Sequence, residues 1–504
     1  MALALRLKAA TSARLAVSCR KAATTATATT ATTRRTITRT TAAATATRAT
    51  ATATATVSSS PLSATTSPPP GVTASSSPFL FEDKPSRRPV LKLAPRHAPE
   101  RGGDAQVSKH CPWIFRNVVD NFDDIVKRGR EQPAVLANVE NSEGRELGVA
   151  AVNLKKGVLI TARLLSQNVA APVDQDFLEA RIRRALVHRE AFFGGSNYYR
   201  LINGEGDQLP GVFCDRYGDV LILQFTSTAM EHLFEATLTK ALKAVLKPKA
   251  IVKRCDMHAD RTLDLGEFYE PSIVEGTLKE PISFQDGPEN DFKLELDALR
   301  VPWYPGRFFE ERPLRKVLRT MLPTGQGQSV LALFSESLGS LCAARGATVT
   351  FGLGSKEFEI VSKAHLEKLS IANNCSDRVD FLEVKEEPEP RLFSQHRPEG
   401  FDFVLLEPPP LAPTYGKVDE GMRKYTAWVG AATSALKPGG YLLFTCRSRT
   451  MQSVRILRCV NMAIWSLGRQ AQVVHRSVAP PSDFPVHMAL PDSNHMRTIV
   501  LRVN

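Results

Sequence analysis

Two hydrophobic periods alternate through the C-terminal half of the chain. Seven short apolar runs, "QSVLALF", "ATVTFGL", "RVDFLEV", "FDFVLLE", "YLLFTC", "AQVVHRS" and "TIVLRVN", recur between about Ile282 and Asn504. Each has the length of a strand buried on both faces. Helical spacing separates them, around Leu338–Arg345, Phe358–Asn373, Gly421–Leu436 and Thr450–Leu467. Helical crossovers between neighbouring strands force those strands to run parallel. Residues 281–504 are therefore expected to form an α/β, Rossmann-like doubly wound sheet, with ligands at the carboxyl ends of its strands.

Two other patterns precede this one. Residues 89–170 read as short strands, "PVLKLA", "AVLANVE", "LGVAAVNL" and "GVLITARLL", which predict a small all-β barrel. Trp113 and Phe115, in "HCPWIFRNVV", are expected to anchor it by burial. Residues 171–280 open with a helix whose apolar positions are Phe177, Ile182, Leu186 and Phe192. A strand–turn–strand signature follows, "VFCDRYGDVLILQF", then a helix over about Met230–Leu246. This segment predicts an α+β central domain.

At 504 residues the chain exceeds one ordinary domain, and its net charge of +13 is unevenly placed. Nine of those charges lie in residues 1–81, which contain no Asp or Glu. Residues 1–88 are rich in Thr, Ala, Ser and Pro. They read as an organellar transit peptide with a disordered continuation, since too little apolar surface is available to offset ordering entropy. The expected address is the mitochondrial matrix, with a plastid as the alternative. The eight cysteines form no CxxC pair and the histidines show no ligand spacing, so no metal is expected. No apolar run is long enough to span a bilayer.

Several motifs then carry a family likeness. The segment "YYRLINGEGDQLPGVFCDRYGDVLILQ", with "CPWIFRNVV", "YPGRFFEERPLRKVL", "FDFVLLEPPPLAP" and "FPVHMALPDSNHMRTIVLRV", resembles the PUA-containing class I methyltransferases that make 5-methylcytosine in large-subunit ribosomal RNA. The resemblance implies a Rossmann-like class I methyltransferase domain after a PUA-like barrel, with S-adenosyl-L-methionine as cofactor and RNA as partner. It implies that Glu407 positions the base and Cys446 adds to cytosine C6. Phe334, Ser335, Gly339, Leu353 and Pro408 would line the cofactor. Arg307, Arg312 and Arg315, in a basic run with Lys316 and Arg319, would meet RNA phosphates; a solvated helical face is the plainer reading of such a run.

The chain also departs from the family pattern. Glu336 and Leu338 stand where an aromatic and a glycine are usual, and Leu353 replaces the ribose-binding acid. Glu407 replaces Asp, Leu411 replaces an aromatic, and Lys385 falls where an acid follows the third strand. Counted from Gly439-Gly440, Cys446 arrives one residue early and Arg447 takes the nucleophile's place. Because side chains alternate along a strand, that offset points Cys446 to the other face.

Three functions fit these observations: an S-adenosylmethionine-dependent methyltransferase acting on rRNA cytosine, a non-catalytic RNA-binding protein of ribosome assembly or the ribosome itself, or a methyltransferase acting on a protein or small molecule. The barrel favours the RNA readings. Fused to a fluorescent reporter, residues 1–80 should carry it into mitochondria; a diffuse cytosolic signal would remove the targeting assignment.

Overall fold

The computed structural model describes residues 83–95, 111–129, 132–254, 269–278, 281–286, 292–299, 307–322, 324–354, 362–490 and 496–504. The expected transit peptide and its disordered continuation, and Tyr304–Gly306 of the segment "YPGRFFEERPLRKVL", lie outside these residues.

The first sheet contains β1 (Val90–Lys92), β2 (Trp113–Phe115), β3 (Ala134–Glu140), β4 (Glu146–Asn153) and β5 (Ile160–Ser166), in the order β1-β3-β4-β5-β2. The β1–β3 pairing is parallel and the other pairings are antiparallel. The aromatic cluster around Trp113 is itself a strand, with Ile114 buried at its centre. A short helix, α1 (Phe122–Arg128), interrupts the expected all-β order. Phe122 and Ile125 bury one side of it, while Asp123 and Asp124 open it and Lys127 and Arg128 close it, each sign suited to the helix dipole.

The central segment packs α2 (Gln175–Phe193) and α3 (Thr228–Leu246) with a five-stranded sheet. Its strands are β6 (Tyr198–Asn203), β7 (Val212–Tyr217), β8 (Val220–Phe225), β9 (Ala250–Arg254) and β10 (Ser272–Gly276), ordered β10-β9-β8-β7-β6. The β7–β8 hairpin forms as expected, closed by a tight turn in which Gly218 takes φ 63°. Helix α2 is capped by Asp174, whose carboxylate accepts from the Phe177 N–H at 3.0 Å. Its buried positions are Leu178, Ile182, Ala185 and Arg189, whereas Phe192 is 62% exposed. The expected stripe through Phe192 is thus rotated. The reason is Arg189, which is drawn inward to Asp207 by two hydrogen bonds of 2.9 and 2.6 Å.

A two-stranded hairpin, β11 (Ile282–Asp286) and β12 (Phe292–Leu296), introduces the last part. Helices α4 (Arg307–Glu310) and α5 (Arg312–Met321) follow. The sheet then comprises β13 (Ser329–Leu333), β14 (Thr348–Leu353), β15 (Val379–Glu383), β16 (Phe401–Leu406), β17 (Leu436–Cys446), β18 (Ala471–Val478) and β19 (Arg497–Val503), in the order β15-β14-β13-β16-β17-β19-β18. Strands β13 to β17 are parallel, and β19 runs antiparallel to both β17 and β18. The helices are α6 (Glu336–Ala344), α7 (Lys363–Ala372), α8 (Pro390–His396), α9 (Val418–Ser434) and α10 (Ser453–Ser466). Two apolar clusters share the strands' inward side chains. One takes Val330 and Ala332 with α6, the other Leu331 and Leu333 with α9 and α10. The expected doubly wound α/β sheet is the one observed. Strand order reverses between β13 and β16, which places a crevice at their carboxyl ends.

The long "RLINGEGDQLPG" motif joins the three parts. Glu205 accepts from the Trp113 indole N–H at 2.7 Å and lies 3.7 Å from Arg163, both on the first sheet. Asp207 holds Arg189 and also accepts from the Asn203 N–H at 2.7 Å. A Cβ on Gly206 would lie 1.8 Å from the Pro485 carbonyl oxygen, so only glycine admits the loop before β19. Asp483 of that loop meets the Arg200 N–H at 3.2 Å and the Arg312 guanidinium at 3.0 Å. Asp207→Ala would leave the Arg189 guanidinium buried without its counter-charge. It should cost about 3–5 kcal/mol of stability, read as a lowered urea midpoint.

Candidate functional site

The crevice is lined by three strand ends. After β13 the chain turns through Phe334, a non-glycine residue at φ 56°, and Ser335 into α6. A left-handed phenylalanine is strained, and here it is over-determined by its surroundings. Its ring packs edge-on to Trp428 at 5.0 Å and its carbonyl accepts from Arg307. After β16 comes Glu407, fully buried, whose N–H donates to the Leu333 carbonyl at 3.0 Å. After β17 comes Arg447.

These groups close on one another. The Ser335 hydroxyl donates to Glu407 Oε2 at 2.6 Å, with Arg307 Nη2 3.3 Å from the same oxygen. Arg447 Nη2 lies 3.0 Å from Glu407 Oε1. Arg447 also reaches Glu310 at 3.1 Å and Glu311 at 3.3 Å, and Arg307 reaches Glu311 at 2.7 Å and Glu336 at 3.3 Å. Burial opposes the charge on Glu407, yet Arg447, Arg307 and the Ser335 hydroxyl hold its carboxyl below the usual range. Glu311 moves the other way: burial and the neighbouring Glu407 charge push it up against its arginines.

The lip "EPPPLA" is stapled to the β17 end. The Leu411 N–H donates to the Tyr425 hydroxyl at 3.0 Å, and that hydroxyl pairs with Ser448 Oγ at 2.6 Å. The Ala412 N–H donates to Ser448 at 3.2 Å, while Thr450 donates to the Ala412 carbonyl at 2.6 Å. Pro408 is buried at the root of this lip. Tyr425 and Ser448 carry no motif signal; only the fold brings them together.

Several expected site residues stand elsewhere. Cys446 is fully buried with Leu442 and Phe444 on the face packed against α9, and burial pushes its thiol up, away from the thiolate. The side chain that does reach Glu407 is Arg447, the residue just after β17, turned to the face opposite Cys446. Gly339 faces the sheet: a Cβ there would lie 2.6 Å from Phe351 and 2.8 Å from Ala332, so it serves close helix–strand packing. Arg307 and Arg315 are buried, so neither offers a guanidinium to a surface phosphate. Arg315 lies 3.6 Å above the Phe308 ring and 3.8 Å from Glu311. Arg312 is held by Asp483 and by the Tyr198 carbonyl at 2.9 Å, which makes it a clamp to the central segment. Leu353 ends β14 half-buried, leaving no carboxylate at that position.

The methionine end of a nucleoside cofactor would meet the Phe334 turn and the first turn of α6. Ser335 there makes no side-chain cap, and Ser337 Oγ is buried without a hydrogen-bond partner among the described residues. These residues fit such a group; the aliphatic Leu353 weakens its ribose end.

Superposition on solved structures decides the fold. A protein described as a SAM-dependent methyltransferase from Streptococcus mutans matches with a TM-score of 0.63 at 15% identity, over 82% of this chain and 100% of that one. A methyltransferase solved with SAH matches with a TM-score of 0.61 at 14% identity, over 82% and 99%. The fold is that of a SAM-dependent methyltransferase. No family model matches the chain. In sequence the chain is similar to the ribosomal RNA large subunit methyltransferase I of Shewanella denitrificans, 29% identical over 427 residues, covering 82% of this chain and 99% of that protein. The protein of the same name from Pseudoalteromonas translucida is 29% identical over 415 residues, covering 80% and 98%.

Because Glu407 is held ionised, its contribution to stability is present above the ordinary carboxylate range and lost as pH falls through its lowered value. Glu407→Gln should therefore flatten the acid limb of the stability–pH curve. Glu407→Ala should cost less than the loss of a sole counter-charge would, since Arg307 and Arg447 also share Glu311. Both are read by urea denaturation across pH.

Proposed function

We propose that this chain is an S-adenosylmethionine-dependent methyltransferase acting on ribosomal RNA in mitochondria. The observation that carries the reading is the length of the match: the relatives named for large-subunit rRNA methylation align over 98–99% of their own chains. In this reading the first sheet is the PUA-like RNA module and the acid-free leader directs import.

S-adenosylmethionine, when bound, supplies the methyl group. The Phe334–Glu336 turn and α6 would hold its amino-acid end. Glu407 presents acceptor oxygens suited to an exocyclic amino group, which favours cytosine over uracil. Attack at C5 requires a thiolate added at C6. Cys446 lies in the core with its thiol held protonated, so the resting site supplies no thiolate for that step, and Arg447 must leave Glu407 before a base can enter.

One observation favours a second reading. The Arg447–Glu407–Arg307 cluster is internally satisfied, which suits an RNA-binding protein of ribosome assembly that transfers no methyl group. Two measurements separate the readings. Leu353→Asp should tighten S-adenosylmethionine binding by up to about tenfold, roughly 1.4 kcal/mol, through the ribose hydroxyls, seen by isothermal titration. Deleting the protein should erase a 5-methylcytosine from mitochondrial rRNA. An intact methylation map beside defective ribosome assembly would overturn the enzyme and leave the scaffold.

A further inference from the structure

Between Glu420 and Asp483 the chain carries no Asp or Glu, yet it carries seven arginines and two lysines. Helix α10 lies in this stretch. It buries Ile456, Cys459, Val460, Ala463 and Ile464 against the sheet. Its other side holds Val454, Arg455, Arg458, Asn461, Met462 and Trp465, all exposed. At about 100° per residue these six positions fall on one continuous stripe. Trp465 is 80% exposed, an uncommon state for so large a ring. Arg449, Arg455 and Arg458 have no carboxylate partner among the described residues.

The stripe also has a direction. It begins next to Arg447 and Ser448 at the lip and runs away from it along α10, whose 14 residues span about 21 Å. Guanidiniums come first, at Arg449, Arg455 and Arg458, and the indole comes last. A helix face with spaced positive charge, no acid of its own and an open aromatic face suits a single strand of nucleic acid. Phosphates meet the arginines, and an unstacked base lies on the ring. A duplex offers no such free base face.

We infer that the exposed face of α10, with Arg449, is a binding track for single-stranded RNA leading to the lip, and that Trp465 stacks on a base at its far end. This rests on the RNA reading above. It assigns the strand flanking the target to α10, a surface that starts at Arg449 within electrostatic reach of Arg163 on the first sheet.

The test uses the full chain, a fluorescent oligouridylate and a salt titration. In R455A/R458A the slope of log affinity against log salt should fall by about 0.7 for each phosphate that an arginine no longer neutralises. W465A should weaken binding about tenfold, with W465F within about twofold of the parent. In the parent, RNA should quench the emission assigned to Trp465 by its loss in W465F. All three residues are exposed, and thermal melts should show the variants folded like the parent. Parent binding with unchanged slope and affinity in both R455A/R458A and W465A would overturn the track and leave the face to a protein partner. Absence of any RNA binding by the parent would instead remove the RNA reading itself, and the track with it.

Discussion

The turn Gly204–Asp207 holds the molecule together. Within four residues it supplies Glu205 to the first sheet, Asp207 to helix α2, and a side-chain-free Gly206 against the loop that leads into β19. Buried charges of this kind add little net stability when complete, because desolvation offsets attraction. They are costly when broken. Their effect is therefore on geometry: the first sheet, the central segment and the crevice keep one arrangement, since any other leaves an ion without a partner. Arg312 extends the same logic, reaching from α5 to Asp483 and Tyr198.

The crevice obeys the same rule with a different consequence. Glu310, Glu311, Glu336 and Glu407 meet Arg307, Arg315 and Arg447 in a space with little water. Glu407 and Glu311 behave in opposite ways there: Arg447, Arg307 and Ser335 hold the first ionised, while burial and the Glu407 charge push the second toward its protonated form. The departures from the family pattern compensate one another. Arg307 answers Glu336, and Arg447 answers Glu310 and Glu311. Arg447 occupies the lip beside Glu407.

A closed lip and an open arginine track on α10 belong to one picture. RNA drawn along the track would bring phosphates near Arg449, two residues from Arg447, and the added negative charge competes with Glu407 for that guanidinium. Ser448, between Arg447 and Arg449, ties this segment to the lip.

The alternation of apolar runs and helical spacing determined the doubly wound sheet, because crossovers of that length permit only parallel strands. The Gly- and Pro-bearing hairpin segment was equally legible, since tight turns restrict residue choice. Counting along β17 even placed Arg447 where a cysteine was sought, because strand alternation is a local rule. What the chain could not show in one dimension was partnership. Arg307, Arg312 and Arg315 look like a solvated basic face. They are buried or clamped only because Glu311, Glu407 and Asp483, from elements as far as 171 residues away, meet them in space. Gly339 likewise looked like a ligand glycine until Phe351 and Ala332 closed on it. Periodicity and turn chemistry are properties of neighbours in sequence; burial and charge pairing are properties of neighbours in space, and only the tertiary structure decided those.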